Sequence, residues 1–136
     1  MEKRFKNWQT PEIEDGKPTK YNWVVRNPEN FKLGKNTDIG AFSYMNAKFG
    51  IEIKNGVQVG SHCSIYSVST IDNKKGKVIL KKNCKIGTHS TVMPGVSVGK
   101  NSIVGAYSFV TKNIPDNALA YGIPAKVIRK LRKDEL

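Results

Sequence analysis

Few side chains in the central part of this chain are suited to transferring a proton. Between residues 39 and 133 the sequence holds two histidines, His62 and His89, and three carboxylates, of which Asp72 stands in a polar segment beside Asn73. Histidine titrates near neutral pH and is the most frequent general base, and a carboxylate serves the same role when it meets the substrate. We therefore take His62, His89 and Asp72 as candidates for acid–base catalysis.

A period of six residues positions these side chains. Counting from Leu80, every sixth residue is aliphatic, and the residue four places later is small or aliphatic. The first set is Leu80, Ile86, Val92, Val98, Val104 and Val110, and the second is Cys84, Ser90, Val96, Ser102, Ser108 and Ile114. A helix repeats every 3.6 residues and a strand every two, so this period predicts a solenoid of short strands with an aliphatic interior. His62 and His89 share one place in the repeat, which predicts outward-facing corners.

The period begins at Leu33 and is interrupted twice. Because it slips by two residues at Ile51 to Ile53, and a slip of two keeps the facing of a strand, we expect a bulge or a change of corner there. The interval from Ile65 to Leu80 is fifteen residues instead of twelve, which predicts that residues 71–77 project as a loop.

Loops on a rigid scaffold often carry function. We take four residues in or just before this loop as substrate contacts, namely Tyr66, Thr70, Asn73 and Lys74. The neighbouring lysines, Lys75 and Lys77, add positive charge suited to the diphosphate of a nucleotide.

The two ends of the chain lack the period. We expect a single domain, 1–136, with an N-terminal cap over residues 1–32, coils over 33–114 and a C-terminal turn and helix over 115–136. Residues 21–25 form a short strand or a lid in this prediction. The helix is expected from about Ala125 to Lys133, because Val127, Ile128 and Leu131 have helical spacing.

Composition limits the partners and the compartment. The chain has 23 Lys and Arg against 11 Asp and Glu, a net charge of +12, which implies an anionic partner. No long apolar run or signal peptide is evident, so we expect a cytoplasmic protein without membrane insertion, and we read the final Lys-Asp-Glu-Leu as a coincidence. Cys63 and Cys84 fall on small corner positions, which explains both by packing.

Several motifs resemble the left-handed parallel β-helix acyltransferases built from hexapeptide repeats. They are Ile86–His89, Met93–Gly95, Gly105–Ala106, Val110–Lys112 and Gly122–Arg129. The likeness covers about residues 33–131 and is strongest to sugar O-acetyltransferases and sugar-nucleotide N-acyltransferases. It implies an all-β, left-handed parallel β-helix; the hand comes from the resemblance alone, because parallel crossovers are usually right-handed.

The resemblance also implies an acetyl-CoA-dependent enzyme that works as a homotrimer with active sites between neighbouring subunits. The positions that contact CoA in similar enzymes are Thr88, Gly105, Ala106, Thr111, Lys112, Lys126 and Arg129. Asn46 matches the asparagine that similar sugar acetyltransferases place beside the reacting carbonyl, where an amide stabilises an oxyanion.

The chain departs from the sugar O-acetyltransferases at Thr70, which stands where the resemblance places their catalytic histidine. An amine depends less on a general base than a hydroxyl does. This favours N-acetylation of an amino sugar, which we expect to be nucleotide-linked and to belong to a surface polysaccharide pathway such as lipopolysaccharide synthesis. O-acetylation served by His62 or His89 of an adjacent subunit stays open, and so does a non-catalytic scaffold.

Other classes fit less well. Two histidines are too few for the three-histidine zinc site of β-helix carbonic anhydrases, so we expect no metal. The lysines are scattered and lack clustered aromatic residues, which argues against nucleic-acid binding. The Gly95–Asn101 segment lacks the spacing and the hydroxyl residue of a phosphate-binding loop.

Overall fold

The computed structural model describes residues 5–136, and its strands form a three-sided parallel β-helix. Sheet 1 contains β1 (Val24–Arg26), β4 (Tyr44–Asn46), β7 (Ser64–Tyr66), β12 (Thr91–Val92) and β15 (Phe109–Val110). Sheet 2 contains β2 (Phe31–Leu33), β5 (Ile51–Ile53), β10 (Val78–Leu80) and β13 (Ser97–Val98). Sheet 3 contains β3 (Asp38–Ile39), β6 (Gln58–Val59), β11 (Lys85–Ile86), β14 (Ile103–Val104), β16 (Ala118–Gly122) and β17 (Ala125–Lys130).

The chain visits the three sheets in turn, and each coil pairs in parallel with the coil before it. Five coils result, the fifth completed in sheet 2 by a single bridge between Val98 and Ile114. The predicted solenoid of hexapeptide coils is therefore confirmed. The coils extend beyond the predicted 33–114, because β1 already belongs to sheet 1 and β16 to sheet 3.

The core is the stack of aliphatic side chains inside the prism. The six residues of the Leu80 series are all buried, and the small residues at the corners are buried with them. Where that small residue is serine, its hydroxyl donates to a backbone carbonyl: Ser90 and Ser108 both donate to Gly105 O, at 3.2 and 2.7 Å. These bonds satisfy polar groups that the corner would otherwise bury without a partner.

The bulge expected near Ile51 to Ile53 is absent from the described chain. Strand β5 is regular and keeps its register with β2 on one side and β10 on the other. Ile51 and Ile53 both face the interior. Strands β2, β5 and β10 each present two inward residues in the same register. The two extra residues therefore lengthen the corner between Met45 and Ile53, where the chain passes from sheet 1 to sheet 2, as the alternative of a changed corner predicts.

The predicted projecting loop is confirmed and is a hairpin. Strands β8 (Val68–Ser69) and β9 (Lys74–Lys75) pair in antiparallel fashion between β7 and β10. We call this segment the insertion hairpin. Ile71 at its tip is 98 % exposed, so the hairpin stands away from the prism in the monomer.

The first coil is covered by the segment before it. Trp23 is buried against the core, and Trp8 donates its indole N–H to Thr37 O at 2.8 Å. A short 3₁₀ helix, Pro28–Asn30, links β1 to β2. The strand expected over residues 21–25 is present as β1, where it forms part of the first coil; residues 1–4 of the expected cap lie outside the described residues.

The helix predicted from Ala125 to Lys133 is wrong. The segment is β17, which runs antiparallel to β16 and ends the sheet, followed by a 3₁₀ helix at Lys133–Glu135. Leu131 is buried as expected, but Val127 and Ile128 are 48 % and 47 % exposed. The prediction from helical spacing is wrong because β16 offers an unpaired edge. Backbone hydrogen bonding along that edge outweighs the packing of two apolar side chains.

Candidate functional site

One corner of the prism carries a column of four rings. Phe42, His62, His89 and Tyr107 each follow a strand of sheet 3 at the same place in successive coils, with positive φ angles of 58 to 66°. Ring centroids lie 5.2 Å apart between Phe42 and His62, 4.6 Å between the histidines and 4.8 Å between His89 and Tyr107. We call this set the aromatic column. Both histidines are exposed there, as their shared place in the repeat predicted.

The hydrogen bonds of Thr88 fix which ring nitrogen of His89 carries the proton. The Thr88 hydroxyl donates to Ser61 O at 2.8 Å, and its oxygen lies 2.9 Å from His89 Nδ1. Because the one hydroxyl proton is already used, Nδ1 of neutral His89 is the donor in this contact. The lone pair on Nε2 is then available to accept a proton.

A groove of about 630 Å³ lies on the outer face of sheet 1, beneath the insertion hairpin. We call it the hairpin groove. It is lined by Tyr44, Asn46, Tyr66, Val68, Ser69, Thr70, Ile71, Thr91, Met93 and Phe109. Three predicted site residues, Asn46, Tyr66 and Thr70, thus lie together. Among the described residues that line the groove, none carries an imidazole, a carboxylate or an ammonium group.

Asn46 is oriented by its neighbours. Its Oδ1 accepts a hydrogen bond from Lys48 N at 3.1 Å, so the amide nitrogen remains as the donor of that side chain. Its backbone carbonyl accepts from both Ser67 N and Ser67 Oγ, at 2.9 and 2.7 Å. Ser67 Oγ also accepts from Phe49 N at 2.9 Å, so this buried serine ties the corner after β4 to the base of the insertion hairpin.

Asp72, Asn73 and Lys74 lie at the tip of the insertion hairpin and do not line the groove. Asn73 is a turn residue with a φ of 56°. Asp72 pairs with Lys74 Nζ at 3.6 Å, and a hydrogen bond from Ser69 together with this lysine lowers the pKa of the Asp72 carboxyl. A lowered pKa makes Asp72 a weaker base at neutral pH.

The residues expected to contact CoA occupy three places. Gly105 and Ala106 line a groove of about 400 Å³ on sheet 3, and Thr88 occupies the corresponding corner one coil earlier. Lys126 is close to them, since its strand partner is Tyr121 and Gly105 faces the Tyr121 side chain.

Thr111 and Lys112 are exposed beyond the end of β15, where the chain leaves sheet 1 for sheet 2. Arg129 lies near the opposite end of β17 from Lys126, and its guanidinium holds Glu135 in a two-point contact of 2.7 and 3.0 Å. That contact and the backbone N–H of Arg132 lower the pKa of Glu135 to about 2. No pattern in the sequence indicates this pairing.

The comparisons with known proteins agree with this architecture. The family described as Bacterial transferase hexapeptide (six repeats) matches residues 77–112. Residues 77–112 therefore consist of hexapeptide repeats of this family. The resemblance on which the sequence prediction relied is therefore confirmed, and the matched repeats are those that form the later coils of the prism.

The hexapeptide-repeat relatives include sugar acetyltransferases. The chain is 36 % identical over 117 residues to galactoside O-acetyltransferase of Lactococcus lactis, covering 75 % of this chain and 56 % of that protein. It is 34 % identical over 122 residues to galactoside O-acetyltransferase of Escherichia coli, with 79 % and 60 % covered. The chain thus spans less than two thirds of the length of these relatives.

Solved structures of hexapeptide-repeat enzymes share the fold. A galactoside acetyltransferase in complex with coenzyme A superimposes with a TM-score of 0.76 at 24 % identity, covering 83 % of this chain and 61 % of that one. AntD, an N-acyltransferase from Bacillus cereus in complex with dTDP-4-amino-4,6-dideoxyglucose and coenzyme A, gives 0.69 at 24 % identity, covering 83 % and 80 %.

Within residues 5–136, no three or more His, Cys, Asp or Glu side chains come together as a metal site would need. No helix in the same range has the length and apolar character of a membrane span.

Proposed function

We propose that the chain is an acetyl-CoA-dependent acetyltransferase that N-acetylates an amino sugar, carried by a nucleotide, in a surface polysaccharide pathway. Its similarity to galactoside O-acetyltransferases supports acetyl transfer to a sugar. The shared fold of AntD, which was solved with CoA and an amino-sugar nucleotide, is compatible with this acceptor. We choose nitrogen over oxygen as the acceptor atom because of the residues that line the hairpin groove.

The hairpin groove offers hydroxyls, an amide and rings, but no general base among its described lining. A sugar hydroxyl must lose its proton as it attacks a thioester, whereas a neutral amine attacks with its own lone pair. In the proposed reaction the amine nitrogen bonds to the thioester carbon, the C–S bond breaks, and the electron pair leaves with the CoA sulfur. The proton is lost from nitrogen to solvent.

Asn46 supplies the polar donor that such a reaction needs. As the carbonyl becomes tetrahedral its oxygen gains negative charge, and a fixed N–H donor stabilises that charge more than it stabilises the ground state. The Lys48 N–H bond to Oδ1 leaves Asn46 Nδ2 as the donor. Loss of one such donor costs about 100- to 1,000-fold in kcat in other enzymes.

CoA fits the grooved corner of sheet 3 in this proposal. Backbone groups at Gly105 and Ala106 are suited to the amides of pantetheine, and Thr88 and Lys126 lie nearby. Thr111 and Lys112 lie beyond the end of β15, five residues or more further along the chain than Ala106. The family resemblance implies that CoA binds between neighbouring copies of a homotrimer, and we extend this arrangement to a cytoplasmic enzyme.

O-acetylation of a sugar is the second candidate. It is favoured by the names of the relatives and by the tautomer of His89, whose Nε2 lone pair is free to take a hydroxyl proton. In this version His89 of one copy serves the groove of another, with His62 stacked on it in support.

Release of free CoA thiol from acetyl-CoA, with amino-sugar nucleotides beside their hydroxyl counterparts, tests the proposal. We expect turnover with amines in the wild type, in His89→Ala and in His62→Ala, and a fall of about 100-fold or more in kcat in Asn46→Ala. Turnover only with hydroxyls, lost in His89→Ala, would establish O-acetylation instead. Absence of both turnover and CoA binding would favour a scaffold and overturn the proposal.

A further inference from the structure

An exposed ring stands beside the hairpin groove with two ammonium groups near it. Phe49, at the corner after β4, is 41 % exposed. Lys48 Nζ lies 5.7 Å from the centroid of its ring, and Lys75 Nζ, from the insertion hairpin, lies 5.5 Å from it. A nucleobase that stacks on this ring takes the place of an ammonium group over that face, and the displaced group, on its flexible stem, stays near enough to bind the phosphates.

The surroundings of this ring are basic. A shallow cavity of about 320 Å³ beside it is lined by Glu29, Asn30, Lys32, Lys48, Phe49, Ile51 and Lys77. Of the nearby carboxylates, Glu52 is held by Lys54 at 2.6 Å and Lys77 at 3.2 Å, which lower its pKa, and Glu29 accepts from Asn27 Nδ2 at 3.1 Å. Lys32, Lys48 and Lys75 add positive charge beyond these pairs.

The Phe49 ring and the lysines around it are linked structurally to the hairpin groove, the proposed acceptor site. Ser67 Oγ accepts from Phe49 N and donates to Asn46 O, so one side chain holds the backbone of the two residues that carry the ring and the proposed oxyanion donor. Asn46 and Phe49 are three residues apart, which places their Cα atoms within about 11 Å of each other. The insertion hairpin lines the groove with Thr70 and reaches Phe49 with Lys75.

We propose that Phe49, Lys48 and Lys75 form the site for the nucleoside diphosphate of a nucleotide-linked acceptor, an inference that rests on the proposed function. The base stacks on Phe49, which tolerates any nucleobase because every base has a π-face. The diphosphate accepts charge-assisted hydrogen bonds from Lys48 and Lys75. The sugar then extends toward Asn46 in the hairpin groove.

Calorimetric binding of UDP and of dTDP to the full chain, without acetyl-CoA, tests this site independently of turnover. We expect Phe49→Leu to weaken the binding of UDP and of dTDP about 5- to 150-fold, which is the effect of removing the ring on which one base stacks. Phe49→Tyr keeps a ring and should retain the binding. Lys75→Gln should weaken binding and reduce its dependence on salt, because one phosphate contact is lost.

Lys20 and Tyr21 provide a matched control, since Lys20 Nζ lies 5.1 Å from the Tyr21 ring. Tyr21→Leu and Lys20→Gln should leave both affinities unchanged. Equal binding by wild type and Phe49→Leu, or no binding of either nucleotide by the wild type, would overturn the site. If Phe49→Leu instead weakened CoA while UDP bound normally, the ring would serve the adenosine diphosphate of the donor, which also overturns it.

If UDP binds as expected but no amine is acetylated, the proposed function fails and the nucleotide site stands. If nucleotide-linked and free amino sugars are acetylated equally well, and Phe49→Leu changes the KM of neither acceptor, the nucleotide site fails and N-acetylation stands. The two proposals therefore have separate outcomes.

Discussion

Replacing Ser67 by alanine should weaken both the fold and the site, because its hydroxyl joins the corner after β4 to the base of the insertion hairpin. Ser67 is fully buried, and its Oγ accepts from Phe49 N and donates to Asn46 O. Asn46 O keeps its bond from Ser67 N at 2.9 Å in the variant. The Phe49 N–H loses its acceptor, so the main cost is one unsatisfied backbone donor.

The size of this cost follows from the exposure of the corner. An unsatisfied buried donor costs about 1–3 kcal/mol. Because Phe49 is partly exposed, water replaces some of the lost bond, and we expect about 1–2 kcal/mol. For a chain of this length that corresponds to a fall in Tm of roughly 3–10 °C.

Thermal unfolding followed by circular dichroism measures the change, with all variants at one protein concentration. Ser64→Ala is the matched control, since Ser64 faces outward on β7, and it should stay within about 0.5 kcal/mol of the wild type. A Tm for Ser67→Ala equal to that of Ser64→Ala would refute the assigned role of the hydroxyl.

Three further predictions concern the tail, the thiols and the core. The pKa of Glu135 is lowered from an ordinary 4.5 to about 2, so the stability that its pair with Arg129 contributes is fully present above pH 4.5 and is lost as the pH falls toward 2. The Tm difference between wild type and Glu135→Gln should therefore shrink over the same pH range. Burial raises the pKa of Cys63 and raises that of Cys84 to about 12, so both should react with a thiol reagent only after unfolding, and rapid native labelling would contradict this. Leu80→Ala should cost about 2–5 kcal/mol in urea unfolding, and a cost below 1 would contradict its interior position.

The candidate site was predicted in part. The position of the insertion gave Tyr66 and Thr70, and the resemblance gave Asn46, and these three meet in one groove. Asp72 was expected to meet a substrate but is engaged by Ser69 and Lys74 at the hairpin tip. The role of Ser67 was missed, although a small residue at a corner of the repeat is the signal that could have indicated it.

The sequence by itself determined the prism and the equivalence of its corners. Each coil repeats the same short pattern, so a buried aliphatic residue every six places reports the inward face of each sheet directly, and His62 and His89 share a corner for the same reason. The interval of fifteen residues from Ile65 to Leu80 is longer than two hexapeptides and contains a polar segment, which is why the sequence predicts a projecting loop over residues 71–77.

Only the tertiary structure decided how the coils and the ends meet. The spacing of Val127 and Ile128 suits a helix, but the open edge of β16 made the segment a strand. Lys75 contacts Phe49 from the insertion hairpin, and Arg129 pairs with Glu135 in the C-terminal segment beyond the last coil, so the hexapeptide pattern sets neither contact. Such contacts depend on where a loop folds back and which charges it finds there, and a local pattern of apolar residues carries no information about either.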